Sequence, residues 1–162
     1  MKDLRRVMAA VDLSEYSPAV MEYAGMICRH TGAELIIVNV INQRDVDAIT
    51  TVSRLTDVSL SADDFVRRQK ADRTAAIHEL IDRFGLKELS RQTVFRIGIP
   101  FDQLNQAVRD EDVQMVVMGP KGRGNVAGLL FGATAEKMFR HCPVSVLSIR
   151  GHEQQLGGHE SS

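Results

Sequence analysis

The sequence predicts an α/β fold, a Rossmann-like doubly wound sheet of five parallel strands with helices on both faces. Five apolar runs rich in β-branched residues alternate with segments of helical period. The runs are almost continuously apolar, which is typical of strands covered on both faces and therefore of a parallel sheet. Because sequential parallel strands need crossover helices, this alternation favours one doubly wound domain, which we assign to residues 1–150.

The strands are predicted from the apolar runs themselves. The third run alternates apolar and polar residues, so we expect it near an edge of the sheet. The fifth carries Ser145 and Ser148 among its apolar residues, a composition that suits an edge strand. In chain order, the predicted strands span residues 6–11, 35–41, 92–97, 113–118 and 144–149.

Capping signals predict four helices between these strands. Ser17 and Pro18 supply an N-cap and a first-turn proline for the first helix. Gly32 supplies its stop. The other three helices are expected over residues 62–84, from Pro100, and from near Thr134.

Two segments fall outside the strand–helix alternation. Residues 42–61 show no strong period and are rich in Asp, Thr and Ser, so we expect a long loop there. Loops of this length in compact domains are usually functional or disordered. The tail, residues 151–162, contains three Gly, two His and two Ser, and we expect it to be disordered.

Composition and charge argue against several classes of protein. The 162 residues carry 20 Lys and Arg against 21 Asp and Glu, a formal net charge of −1, which is unlike a chain that neutralises a nucleic-acid backbone. No apolar run has the length of a transmembrane helix. Cys28 and Cys142 are too few for a disulfide framework and lack CxxC spacing. We therefore expect a cytoplasmic, reduced protein without nucleic-acid or membrane partners.

Three glycines after the fourth predicted strand indicate a phosphate site. Gly119 and Gly122 follow the strand directly, and Gly132 precedes the last predicted helix. Glycine lets a backbone approach a ligand closely, and the N–H groups at a helix start attract negative charge. Ligands of doubly wound sheets bind at the carboxyl ends of strands, where the strand order reverses. Tight turns without any ligand are the alternative explanation of this spacing.

Two charged residues lie near the same strand ends. Asp12 follows the first strand and is expected either to contact a ligand or to cap a turn with Ser14. Lys121 lies between the glycines and is either a phosphate contact or a solvated loop charge. The glycine pattern is not a Walker A loop, because Gly-Lys-Ser/Thr does not occur, and the first strand–helix turn lacks GxGxxG.

Metal binding and covalent catalysis find little support in the sequence. Cys28 and Cys142 each fall on an apolar helix face, where cysteine behaves as a small hydrophobe. No His or Cys pair shows the spacing of metal ligands, and neither a nucleophile elbow nor a Ser/His/Asp set is present. Efficient phosphoryl transfer needs a placed base and usually a metal ligand, and Asp12 is the only carboxylate expected near the cleft. We therefore expect that this protein is not an efficient enzyme.

Several short motifs, in this order along the chain, resemble the universal stress protein family. The resemblance spans roughly residues 5–150. The motifs are Val11-Asp12-Leu13-Ser14 with Ser17, then Val38-Asn39-Val40, then Gly98-Ile99-Pro100, and finally Gly119-x-x-Gly122, nine residues, Gly132, Thr134-Ala135-Glu136-Lys137 and His141-Cys142-Pro143-Val144.

The resemblance implies a cytoplasmic α/β domain whose five parallel strands have the order 3-2-1-4-5. Members are usually dimeric, and many bind ATP without being efficient ATPases. Other members lack the glycine motif and bind no nucleotide. Carried over by position, Ala10 and Val11 would lie beside the adenine, and Asp12 would contact the ribose. The backbone of Val40 would contact the adenine edge. The phosphates would be lined by Met118, Gly119, Lys121 and Gly122 and, at the helix start, by Gly132, Ala133 and Thr134.

Ala133 departs from the ATP-binding pattern of the family, which has Ser or Thr directly after the last glycine. The backbone N–H of Ala133 survives, so most of the phosphate cradle can remain. One hydroxyl donor is lost, which costs about 0.5–1.5 kcal/mol for an ordinary hydrogen bond, or about 1.5–3 kcal/mol if it meets charge. Thr134 either replaces this hydroxyl in part or caps the helix.

The function implied by the resemblance is a stress-response protein that acts as a dimeric sensor or regulatory module and binds ATP, alone or with Mg²⁺. A dimeric protein-interaction module that binds no nucleotide is the first alternative. A slow ATPase is the second. The homodimer would form through the fifth strand, residues 144–149, pairing with its symmetry mate.

Overall fold

The predicted five-stranded parallel sheet is confirmed by a computed structural model, which describes residues 3–122, 128 and 130–150. Strands and helices alternate along the chain, with one additional helix after the second strand. The elements are β1 (Arg6–Ala10), α1 (Ser17–Thr31), β2 (Glu34–Asn42), α2 (Gln43–Leu55), α3 (Ala62–Arg83), β3 (Ser90–Gly98), α4 (Pro100–Asp110), β4 (Met115–Met118), α5 (Ala133–His141) and β5 (Ser145–Ser148).

The strand order in the sheet is β3-β2-β1-β4-β5, with every neighbouring pair parallel. This is the order that the family resemblance implies. β1 lies at the centre, and the chain builds outward first on one side of it and then on the other. The strand order therefore reverses between β1 and β4, where the crossovers leave in opposite directions and open a crevice. β3 and β5 are the two edges, as their patterns predicted.

Both faces of the sheet are buried, which explains why the strands are nearly continuous apolar runs. Successive side chains of a strand point to opposite faces. In β1, Val7 and Ala9 therefore pack against α1 and α3, while Met8 packs on the other face against α4 and α5. In β2, Ile37 faces the first layer and Ile36 the second. All five of these side chains are fully buried.

The prediction of a long loop over residues 42–61 is wrong, because α2 occupies Gln43–Leu55. Asn42 caps this helix by accepting a hydrogen bond from the Arg44 N–H at 3.0 Å. The hydroxyl of Thr50 donates to the Val46 carbonyl one turn earlier, so a threonine that suggested a loop is accommodated in the helix. No residue of α2 is buried, so this helix lies on the surface of the domain.

Two predicted helix starts shift by one residue. Tyr16, not Ser17, is the N-cap of α1, and no side chain caps this helix. The Ser17 hydroxyl lies instead 3.4 Å from a carboxylate oxygen of Asp12. α5 begins at Ala133 with Gly132 as its N-cap. The predicted stop at Gly32 is confirmed, because this residue ends α1 with a φ of 75°.

The prediction of a disordered tail at residues 151–162 lies outside the described residues. Among the residues that the structure describes, no helix combines the length and the apolar character needed to cross a membrane.

Candidate functional site

A cavity of about 610 Å³ opens at the carboxyl ends of β1, β2 and β4, where the strand order reverses. Its volume lies within the range of about 300–1,000 Å³ that is typical of small-molecule sites. The structure brings all of the predicted site residues together around this cavity, although their roles toward a ligand stay predictions. They are Ala10, Val11, Asp12, Val40, Met118, Gly119, Lys121, Gly122, Gly132, Ala133 and Thr134.

One end of the cavity, which we call the base end, is formed by the last residues of β1 and β2. The Val11 N–H donates to the Val38 carbonyl at 2.9 Å, after which the chain leaves the sheet. Carbonyls two residues apart point to the same edge of a strand, so the Val40 carbonyl also faces the β1 side, beyond the end of β1. Pro100 and Leu104 add apolar surface from α4. The base end therefore combines an apolar wall with the backbone of β2 beyond the end of β1.

The two carboxylate oxygens of Asp12 have different surroundings, one in the turn after β1 and one at the cavity. Its Oδ1 accepts a hydrogen bond from the Ser14 N–H at 2.9 Å, so the side chain does cap the turn. Leu13 inside this turn has a φ of 60°, a conformation that is unusual for a branched side chain. The other oxygen, Oδ2, points toward Gly122, at 2.6 Å from the place where a Cβ on that residue would lie. One oxygen thus fixes the turn and the other reaches the cavity.

The glycines after β4 are required by close approach and not by a left-handed backbone. Gly119 and Gly122 are not among the glycines with positive φ, and Gly132 has a φ of −78°. A Cβ on Gly119 would lie 2.8 Å from the Cβ of Tyr16, which is buried against it. A Cβ on Gly122 would meet the Asp12 carboxylate. Packing within the protein therefore explains two of the three glycines without any ligand.

The other end of the cavity, which we call the phosphate end, is the start of α5. The Gly132 N–H donates to the Pro120 carbonyl at 2.8 Å, and the Gly132 carbonyl accepts from the Glu136 N–H at 3.0 Å. The N–H groups of the first turn of a helix have no partner within that helix. Here these belong to Ala133, Thr134 and the next residue, all at the cavity wall. Because Gly132 occupies the N-cap, Thr134 does not cap the helix.

Arg73 is the most informative site residue that the sequence reasoning missed. Only 9% of its surface is exposed, although it lies on the otherwise charged helix α3. Its guanidinium Nη1 donates to Asn39 Oδ1 at 2.9 Å and approaches the Val40 carbonyl at 3.3 Å. A signal was present in the sequence, since Arg73 precedes Ile77 and Ile81 at four-residue spacing and thus shares their inward face.

The first turn of α2 was also missed, because residues 42–61 were expected to be a loop. Asn42, Arg44 and Asp45 line the cavity beside the end of β2. Within the part of the wall that the structure describes, three side chains are cationic and two are carboxylates, so the formal charge of that part is positive. A positive wall next to helix N–H groups favours an anionic ligand.

Thiol and metal chemistry find no support among the described residues. No group of three or more His, Cys, Asp and Glu side chains in that part of the chain could hold a metal ion. Burial raises the pKa of the Cys28 thiol to about 11, so this group stays protonated at neutral pH. Burial also raises the pKa of Cys142.

The fold and the cavity define a class of protein, an α/β domain with sheet order 3-2-1-4-5 and a ligand-sized cavity at its switch point. The family model of the universal stress protein family matches residues 3–150. The chain belongs to the universal stress protein family. A universal stress protein of Methanocaldococcus jannaschii is 20% identical over 154 residues, which cover 90% of this chain and 94% of that protein.

Solved structures share the fold at low sequence identity. The universal stress protein UspA from Lactobacillus plantarum superposes with a TM-score of 0.74 at 16% identity, covering 93% of this chain and 100% of that chain. A universal stress protein in complex with cAMP gives a TM-score of 0.61 at 20% identity, with coverages of 92% and 98%. One from Archaeoglobus fulgidus in complex with dAMP gives 0.55 at 15% identity, with coverages of 93% and 100%. At these identities the similarity shows the fold alone.

Proposed function

We propose that this chain binds an adenine nucleotide in the cavity and acts as a dimeric, cytoplasmic stress-response module whose state depends on that nucleotide. The expected ligand is ATP, alone or with Mg²⁺. The observation that carries the proposal is that three different recognition elements line one cavity. These elements are an apolar pocket bordered by β2 backbone, a carboxylate oxygen, and the N-terminus of a helix.

The base end suits a purine. Ala10, Val11 and Leu104 offer apolar surface against which a flat ring can pack. The Val40 carbonyl, which also accepts from Arg73 Nη1 at 3.3 Å, would accept from an amino group on the ring edge. Asp12 Oδ2, at the next position along the cavity, is an acceptor for a ribose hydroxyl, and carboxylates make stronger hydrogen bonds than neutral acceptors.

The phosphate end suits an anion. The first-turn N–H groups of α5 and the positive end of its macrodipole attract a phosphate, and Lys121 lies beside them on the cavity wall. Ala133 supplies its backbone N–H but no hydroxyl. We therefore expect phosphate binding that is weaker, by about 0.5–1.5 kcal/mol, than in a chain with Ser at this position.

The relatives support a nucleotide of the adenine class. The two structurally similar universal stress proteins described above are complexes with cAMP and with dAMP, which share the adenine base. Both ligands carry one phosphate, whereas ATP carries three. Binding without efficient hydrolysis is expected here, because Asp12 and Asp45 are the only carboxylates among the described residues of the cavity wall and Asp12 is engaged in its turn.

The homodimer is proposed to form through β5. This strand is an edge of the sheet, so one row of its backbone groups faces outward, and Leu147 on it is 37% exposed. Pairing with a symmetry mate would cover both. The same surface favours the second candidate function, a dimeric interaction module that binds no nucleotide, because an edge strand can dimerise whether or not the cavity is filled.

Nucleotide extraction tests the proposal and separates the two candidates. Protein purified without added nucleotide is denatured, and the supernatant is analysed by ion-exchange chromatography; refolded or stripped protein is then titrated with ATP and Mg²⁺ by calorimetry. Release of ATP, ADP or AMP, or saturable binding of ATP, is the expected result. A clean supernatant together with no heat at millimolar ATP would refute nucleotide binding. Light scattering on the same stripped sample should show a dimer under either candidate function.

A further inference from the structure

Two opposite charges, Arg44 and Asp45, lie next to each other at the mouth of the cavity. Both belong to the first turn of α2, both line the cavity wall, and both are exposed to solvent. Asn42 holds this turn in place, because its Oδ1 accepts a hydrogen bond from the Arg44 N–H at 3.0 Å. The backbone therefore fixes where these two charges stand relative to a ligand in the cavity.

The charge of Arg44 is not compensated by an ion pair. Within residues 3–122, 128 and 130–150, neither an ion pair nor a hydrogen bond engages its guanidinium. The carboxylate one turn further along α2, Asp47, accepts from Gln43 Nε2 at 2.9 Å instead. A charge of this kind acts on a ligand through solvent, over a range of about 8 Å at an ionic strength of about 0.15 M.

The other charged side chains of the described wall are engaged elsewhere. Arg73 is buried and hydrogen-bonded to β2, Asp12 caps the turn after β1, and Lys121 lies at the phosphate end. Three cations and two carboxylates give this part of the wall a formal charge of +1. Removing the charge of Arg44 would make it neutral, whereas removing the charge of Asp45 would raise it to +2.

We propose that Arg44 and Asp45 are specificity-determining residues that set how strongly the cavity prefers a nucleotide with several phosphates to one with a single phosphate; this inference rests on the proposed nucleotide binding. The Coulomb energy between a wall charge and a ligand grows with the charge of the ligand. ATP therefore gains more than AMP from Arg44 and loses more than AMP to Asp45. Contacts with the base and the ribose are shared by ATP and AMP, so they cancel in the ratio of the two affinities.

The test measures the ratio of the ATP and AMP affinities in two variants of opposite charge change. Nucleotide-free protein is titrated calorimetrically with each nucleotide, without Mg²⁺ so that the full charge of ATP is present. At an ionic strength of about 0.15 M, Arg44→Gln should lower the ratio about two- to fivefold, and Asp45→Asn should raise it by a similar factor. Both shifts should disappear near 1 M salt, where the Debye length is about 3 Å.

Two further variants separate this effect from other causes. Arg54→Gln removes the same charge from the last turn of α2. Ten helical residues place that charge roughly 15 Å from Arg44, beyond the Debye length, so the ratio should stay unchanged. Arg44→Lys keeps the charge and should keep the ratio. A general loss of stability would weaken the binding of ATP and AMP in parallel and leave their ratio as it was.

The possible outcomes separate this inference from the proposed function. Opposite shifts in Arg44→Gln and Asp45→Asn that vanish at high salt, with no shift in Arg54→Gln, support the inference. If either of the first two variants keeps the wild-type ratio, if both shift it in the same direction, or if Arg44→Lys loses as much as Arg44→Gln, the inference is overturned while nucleotide binding stands. If the wild-type protein binds neither ATP nor AMP, both fail.

Discussion

Side chains form one end of the cavity, whereas backbone groups form the other. The base end depends on buried side chains, since Asn39 and Arg73 connect α3 to the ends of β1 and β2 through hydrogen bonds of 2.7–3.3 Å. The phosphate end depends on backbone, since α5 offers N–H groups and the two glycines after β4 offer room. Removing a side chain should therefore harm the base end, whereas adding a side chain should harm the phosphate end.

The largest effect is expected at the phosphate end from Gly122→Val. A Cβ there would lie 2.6 Å from Asp12 Oδ2, so the new side chain must displace the carboxylate and occupy part of the cavity. ATP affinity, measured by calorimetry, should fall by at least about thirtyfold, the equivalent of roughly 2 kcal/mol of overpacking.

A double variant shows whether the contact with Asp12 is the cause. Asp12→Ala removes the carboxylate, so adding Gly122→Ala to it should cost little further affinity. A Gly122→Val protein that binds ATP like the wild type would contradict the proposed location of the phosphate end.

The second largest effect is expected at the base end, on stability. Asn39→Leu removes the buried amide that donates to the Val11 carbonyl and accepts from the Arg73 guanidinium. The free energy of unfolding, measured in urea, should fall by about 1–3 kcal/mol. Asn105→Leu is the matched control, because the Oδ1 of this buried asparagine has no hydrogen-bond donor among the described residues. Equal losses in the two variants would show that the network at the base end adds no stability.

A smaller effect is expected from Asp12→Asn, which lies between the two ends. The amide keeps an oxygen to cap the Ser14 N–H but loses the negative charge toward the ribose. ATP affinity should fall about tenfold, as for one charge-assisted hydrogen bond, with little change in stability. Asp112→Asn, at an exposed ion pair with Arg5, should bind ATP like the wild type. Unchanged affinity in Asp12→Asn would leave Asp12 with its turn-capping role alone.

The smallest effect is expected from Ala133→Ser, which restores the hydroxyl that the family pattern has at this position. Since Ala133 is exposed at the start of α5, the substitution should not disturb packing. ATP affinity should rise about two- to tenfold. No gain in Ala133→Ser combined with a loss in Thr134→Val would show that Thr134 already supplies this hydroxyl.

The fold could be predicted because its signals are local and repeated. β1 and β2 are continuous apolar runs since both faces of the sheet are covered, and Gly32 ends α1 as its position indicated. The position of the phosphate end could be predicted for a related reason, because glycines directly before a predicted helix are a local sequence pattern. The strand order itself followed from the resemblance to the family and not from the apolar pattern.

The base end was harder to predict because it depends on contacts between distant residues. Arg73 and Asn39 are 34 positions apart, and nothing near either residue indicates their pairing. α2 was missed because its Asp, Thr and Ser residues suggested a loop, whereas Asn42 caps the helix and the Thr50 hydroxyl bonds within it. The sequence predicts glycine at 119 from close approach to a phosphate, with a tight turn as the alternative, whereas in the structure the side chain of Tyr16, more than a hundred positions earlier, leaves no room for a Cβ there.

Hydrogen–deuterium exchange with and without ATP tests most directly whether an adenine nucleotide binds in this cavity. The account predicts slower exchange in peptides that cover residues 10–17, 38–45 and 132–136, which form both ends of the cavity. Peptides at the amino ends of the strands, around residues 90–92 and 111–114, should not change. Unchanged exchange throughout at saturating ATP, or protection confined to residues away from the cavity, would contradict it.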